Sequence, residues 1–227
     1  MDAIKEKIME GLQTDIWFTI PIFGGIPVSS SVVITWIIMA VLILLSILLT
    51  RRLKIIPSKP QLVLEMFVGF INKFTKETIG EHWRAFAPYF GTIGLYIGLA
   101  NISGLFGVAP PTKDLNVTAG LALMSMFLIY GASFRYKGVK GALCKFGEPV
   151  ALIAPLNVME IVIRPLSLCM RLFGNVLGSF IIMELIKAVV PAVVPIPFSL
   201  YFDIFDGIIQ TVIFVFLTAL FTKEAIE

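Results

Sequence analysis

Charge is what this chain has least of. Only 15% of its 227 residues are Asp, Glu, Lys or Arg, where soluble domains carry about 25%. Histidine occurs once, at His82, and cysteine twice, at Cys144 and Cys169. Cys144 falls in a polar loop and Cys169 at membrane depth, so no disulfide is expected, and their spacing suits no metal. His82 stands in a charged loop and is no ligand candidate. No nucleotide-binding glycine loop, metal motif or defensible internal repeat occurs, so no cofactor is expected. Polar stretches reach only about 15 residues, which leaves no room for a soluble domain. The N-terminus, MDAIKEKIMEGLQTD, is too acidic and too long before its first apolar run to read as a cleaved signal. The net charge of +3 says little by itself, and no nucleic-acid partner is expected.

Apolar sequence fills the space. With 58% hydrophobic residues and a mean hydropathy of +0.94, this is a polytopic membrane protein. A first span covers about Ser30 to Leu49 and stops at Arg51, Arg52 and Lys54. Gln61 to Gly80 carries polar residues in a helical stripe (Gln61, Glu65, Gly69, Asn72, Lys73 and Lys76) and reads as interfacial, with Glu65 on its polar edge. A second span covers about Phe86 to Val108, ended by Pro110 and Pro111. A third covers about Thr118 to Phe134 and is followed by the basic loop RYKGVKGALCKFGEP. The fourth element is long, Asn157 to Pro191. A turn with Pro191, Pro195 and Pro197 leads to a last helix from about Phe198 to Phe221. If the first span runs outside to inside, twelve Lys and Arg residues of the connecting segments lie inside and three, Lys5, Lys7 and Lys113, outside. That bias puts the N-terminus out and the C-terminus in.

The long element holds five charges: Glu160, Arg164, Arg171, Glu184 and Lys187. A charge at membrane depth costs about 2.5–3.5 kcal/mol on insertion scales, so each asks for a reason. Arg171 asks most insistently, because guanidinium cannot escape by losing its proton. About 34 helical residues span roughly 50 Å against a hydrocarbon core of about 30 Å, so the helix tilts strongly along a large neighbour. A break at Pro165 is the alternative. On a helical wheel, Glu160, Arg164 and Asn175 share the face of Arg171. Glu160 and Arg164 stand at i and i+4, the spacing of a pair. Arg171 has only Ser167, Leu168, Gly174 and Asn175 at that spacing, so its counter-ion is expected on another helix or another chain. Glu184 falls about 220° round, on the far face, with Lys187 three residues on as a local partner or a snorkelling cation. Asp203, Asp206 and Gln210 follow at i, i+3 and i+7 on one face of the last helix.

MRLFGN around Arg171, with Gln210 near the end, resembles subunit a of F-type ATP synthases. PPTKDLNVTAGLAL, 110 to 123, is similar to that family's extracytoplasmic loop and following helix, and QLVLEMFVGFINKF from Gln61 to its early amphipathic helix. The three blocks come in order and reach almost the whole chain from about residue 20. The resemblance implies an all-α membrane protein of about six helices, five membrane-embedded and one interfacial, the last two forming a long tilted hairpin. It implies a single polytopic domain, 1–227, with an extracytoplasmic segment 1–29 and an ion-channel hairpin 149–227.

Function follows the same resemblance. The chain is expected to be the stationary channel subunit of the membrane sector, giving H⁺ or Na⁺ half-channels to a ring of c subunits. Expected partners are that c-ring, the peripheral-stalk b subunits and the lipid bilayer, in the plasma membrane of a bacterium, and the chain itself catalyses no covalent chemistry. Arg171 would be the ion-translocation arginine, before which ring carboxylates shed their ion. Asn175 belongs to the same motif, as a path residue or a helix–helix hydrogen bond. Arg164 stands where the family often has a basic residue, and a structural pair with Glu160 is the equal alternative. The family commonly has an ionisable residue nine positions after the arginine; here it is Phe180. Glu184 points the same way and is expected to replace it, with Asp203, Asp206 and Gln210 completing the path. Asp206 as a cap or interfacial residue is the competing reading. An independent ion-coupled secondary transporter is the alternative function, weakened by the missing repeats. A non-conducting scaffold explains neither Arg171 nor the carboxylates.

Overall fold

The computed structural model describes residues 16–21, 26–51, 53–55, 58–106, 108–144, 154–190 and 194–226. Five of its helical stretches are long and apolar enough to cross a membrane, among the described residues. The protein is an all-α membrane protein with one small departure. Strands β1 (Ile16–Ile20) and β2 (Ile26–Ser29) form an antiparallel pair with Phe18 opposite Val28 and Ile20 opposite Ile26. The sequence reading assigned no strand here. The rest of the expected extracytoplasmic segment, residues 1–15 and 22–25, lies outside the described residues.

Helix α1, Ser30–Thr50, buries only Ser31 and Ile38, as expected of a helix whose sides are solvated by lipid tails. The amphipathic helix α2, Lys59–Ile79, starts with proline in its first turn, where the missing N–H costs nothing. Gln61 closes that start: its amide donates to the Lys54 carbonyl (2.8 Å) and to Glu65 (2.8 Å), and accepts from the Lys54 N–H (3.0 Å). Glu65 is thus engaged in holding a helix end. Gly80 adopts φ +80°, a conformation that suits glycine, and one 3₁₀ turn, Gly80–His82, leads into α3, Trp83–Ile102. Short 3₁₀ turns follow at Ser103–Phe106 and Pro111–Lys113. Helix α4, Leu115–Cys144, is longer than expected because it continues through a kink at Gly138, φ +72°.

Helix α5, Ala154–Val189, runs unbroken for 36 residues with Pro165 inside it, so the break at Pro165 does not occur. Pro191 of the expected turn lies outside the described residues, whereas Pro195 and Pro197 fall inside α6, Pro195–Ser199. The last helical run starts earlier than Phe198, at Pro195, and is not α-helical throughout. A seven-residue π-helical segment, Leu200–Asp206, intervenes before α7, Gly207–Ile226.

Packing divides the chain into two compact units. The first comprises Met1–Arg52, Leu95–Val117 and Leu172–Thr211; the second comprises Leu53–Gly94, Thr118–Arg171 and Val212–Glu227. In the first, Ser29 donates to Asp114 (3.1 Å), and Thr35 and Tyr96 share a hydrogen bond (3.0 Å), tying the start of α1 to α3 and its following loop. In the second, Met126, Ile129 and Ala225 are buried with Tyr130 and Phe221 against them. Tyr89 bonds Ser125 (2.8 Å) there, and the Thr118 hydroxyl meets the buried Cys169 thiol (3.6 Å). These polar side chains find partners on neighbouring elements, as an apolar solvent demands.

Candidate functional site

The first unit contains a cavity of about 630 Å³ whose wall includes Glu184, Asp203, Asp206, Lys187, Asn101 and Gln210. The sequence reading placed Glu184, the two aspartates and Gln210 on one path, and the structure brings all four to one cavity. They arrive by a route the wheel did not supply. A uniform α-helix was assumed through Asp203, Asp206 and Gln210, whereas both aspartates sit in the π segment. Such insertions widen a turn by one residue and recur at functional sites.

Each carboxylate has its own setting. The Ser199 hydroxyl donates to Asp203 Oδ2 at 2.6 Å. A Cβ on Gly104 would lie 2.6 Å from Asp203 Oδ1, so any larger residue there would displace this carboxylate. Glu184 Oε1 accepts from Lys187 Nζ at 3.0 Å, so of the two readings of Lys187 the local partner is the one found. Phe180 lies on the same wall, with Lys113 Nζ 3.5 Å from its ring centroid. A cation–π contact thus occupies the position at which the sequence departs from the family resemblance. Sequence reasoning counted Lys113 only among the outer charges. No local spacing connects it to Phe180.

Asn175, one turn beyond Arg171, donates from Nδ2 to Gln210 Oε1 at 2.7 Å. Gln210 is 2% exposed, and its Nε2 has no partner among the described residues. A buried donor left unpaired costs about 1–3 kcal/mol, so this amide is poised to receive a water or an incoming acceptor.

In the second unit Arg164 pairs with Glu160, as the spacing predicted, and also with Glu224 at 2.6 Å. Its guanidinium stands 5.0 Å from the Phe221 ring centroid. Glu224 was missed, because it lies sixty residues away at the end of α7. Arg171 is half-buried on α5, between the buried Leu168 and Leu172. Among the described residues it has no carboxylate partner. Of the five charges on α5, the other four form ion pairs among the described residues and Arg171 does not.

Residues 32–223 match the family described as ATP synthase A chain. The chain is 38% identical over 164 residues to ATP synthase subunit a of Moorella thermoacetica, covering 72% of this chain and 75% of that protein. It is 35% identical over 204 residues to ATP synthase subunit a 2 of a Bradyrhizobium species, covering 89% and 91%. It is 32% identical over 218 residues to the sodium-ion-specific ATP synthase subunit a of Propionigenium modestum, covering 89% and 75%.

Proposed function

The chain belongs to the ATP synthase A chain family, and on that premise we propose that Arg171 and the carboxylates of the cavity carry ions past a rotating ring. It is the ion-channel subunit of an F-type ATP synthase, a multi-pass membrane protein working within a multi-subunit complex. Its partners in the membrane are a c-ring and the peripheral-stalk b subunits, and its residues 149–227 form the channel hairpin. The N-terminus faces outward and the C-terminus the cytoplasm of a bacterial cell. The chain catalyses no covalent step and needs no cofactor; H⁺ or Na⁺ is its cargo. The family does not favour an independent secondary transporter.

The observation that carries this reading is the pairing pattern of α5. Glu160, Arg164, Glu184 and Lys187 are neutralised within the chain, so their charges are structurally supported. Arg171 is left, at membrane depth, with a charge it cannot lose. A partner acid supplied by another subunit resolves that cost. At about 4 Å and an effective dielectric of about 20, a guanidinium and a carboxylate attract by about 4 kcal/mol. Such a field favours the ionised carboxylate, so a ring carboxyl meeting Arg171 releases its proton or Na⁺. The fixed charge also bars cations from leaking straight between the two access routes. Glu184, Asp203 and Asp206, hydrated in their cavity, hand ions from the outside toward Gln210 and Asn175, while Glu160 and Arg164 border the inner exit.

Arg171→Ala is expected to abolish coupled ATP synthesis while the chain stays inserted and assembled. Normal ATP-driven pumping in that variant would overturn the role. Glu184→Gln combined with Asp203→Asn is expected to block passive conduction through the membrane sector, and wild-type conduction in the pair would overturn the cavity route.

A further inference from the structure

We propose that Asn101 is a positioning residue that fixes the π-helical register of Leu200–Asp206 and so keeps Asp203 in its seat on the cavity wall. This rests on the reading of the cavity as the ion route. Asn101 is 4% exposed, at the end of α3. Its Nδ2 donates to the Gly207 carbonyl at 3.2 Å, and its Oδ1 accepts from the Thr112 hydroxyl at 3.1 Å. The orientation of the amide is forced, because a carbonyl only accepts. Thr112 is fully buried in the 3₁₀ turn Pro111–Lys113 and steers that amide from behind.

Gly207 is the residue at which the π segment gives way to α7. Its carbonyl takes hydrogen bonds from two side chains, Asn101 and Thr211 (2.8 Å). The contact is built for glycine: a Cβ on Gly207 would lie 2.9 Å from Asn101 Cβ. Three residues along, Gly104 makes the matching approach to Asp203. The two close approaches grip the π segment near its middle and at its end.

A π turn is less favourable than an α turn and needs outside support. If the extra residue were expelled, everything before it would rotate by about 100° relative to α7. Asp203 would then leave its seat against Gly104, and a different residue of the segment would face the cavity. Asn101 supplies the support from another helix, through a bond whose loss leaves a buried carbonyl short of one donor.

The test uses the assembled synthase and two single-cysteine reporters. Phe202 lines the cavity, whereas Tyr201 is exposed and does not. With Asn101 present, Phe202→Cys reacts with a membrane-impermeant maleimide applied from outside and Tyr201→Cys does not. Asn101→Ala is expected to lower labelling at position 202 on the order of tenfold, raise it at 201, and lower passive conduction on the order of tenfold. Thr112→Val, which keeps the amide but frees it, should shift both in the same direction by less, and it carries the test if Asn101→Ala does not assemble. Wild-type labelling in both variants, or equal loss at both positions, overturns the inference. Should that happen while Glu184→Gln with Asp203→Asn still blocks conduction, the cavity route stands without Asn101. If the carboxylate pair conducts normally, the cavity route fails whatever the labelling shows.

Discussion

Gly104→Ala perturbs the cavity with a single methyl group, and its consequence can be worked from the structure. The new Cβ would lie 2.6 Å from Asp203 Oδ1 and 3.0 Å from its Cγ. Ordinary contacts begin near 3.4 Å, so the carboxylate must retreat by the better part of an ångström. It cannot retreat freely, since Oδ2 holds the Ser199 hydroxyl at 2.6 Å. Two responses compete. A strained Asp203 rotamer costs about 0.5–1.5 kcal/mol. Surrendering the Ser199 bond costs about 1.5–3 kcal/mol, the range for hydrogen bonds to charged groups. The rotamer strain is the smaller cost, so Asp203 swings while trying to keep Ser199, and its outer oxygen leaves the cavity wall. A cost of about 1.4 kcal/mol on a transfer step is tenfold in rate. Passive conduction through the membrane sector, measured on synthase stripped of its soluble part, is therefore expected to fall about tenfold. Gly120→Ala is the control, because nothing lies within 4 Å of its Cβ position. Equal conduction in Gly104→Ala and wild type, or equal loss in both glycine variants, would refute the reasoning.

Other outcomes follow from the same contacts. Glu224→Gln leaves Arg164 one acid, Glu160, and is expected to lower thermal stability of the complex by no more than about 1 kcal/mol; Glu160→Gln with Glu224→Gln should cost clearly more than the sum of the singles, because the guanidinium is only 18% exposed. Additive losses in thermal unfolding would contradict the shared-acid arrangement. Phe180→Glu exchanges the cation–π contact with Lys113 for an ion pair, and should assemble and conduct at or above the wild-type level; failure to assemble would show that the ring, not a charge, is needed there. Asn175→Leu leaves Gln210 without its partner and should destabilise by about 1–3 kcal/mol, whereas Asn175→Asp, which can meet the same amide once it turns, should recover most of the loss in a denaturation series.

Much of this molecule is written in its local sequence. Scarce charge and long apolar runs mark the spans, because lipid tolerates little else. The i,i+4 spacing of Glu160 and Arg164 and the i,i+3 spacing of Glu184 and Lys187 name pairs that the structure contains. The isolation of Arg171 was visible too, in the four uncharged neighbours at helical spacing. What could not be read depends on distance along the chain. Glu224 reaches Arg164 across sixty residues, and Asn101 reaches Gly207 across 106. The π segment was hidden because LYFDIFD has no feature that separates a π turn from an α turn; the choice is made by what packs against it. The strand pair β1–β2 was hidden by the shortness of its strands.

The most direct measurement is a map of the intact complex in a lipid bilayer, at a resolution that places the Arg171 guanidinium. It should lie within hydrogen-bonding range of a ring carboxylate, with a similar carboxylate approaching as the ring steps on. A guanidinium pointing into bulk water, or locked to an acid of its own chain, would contradict that.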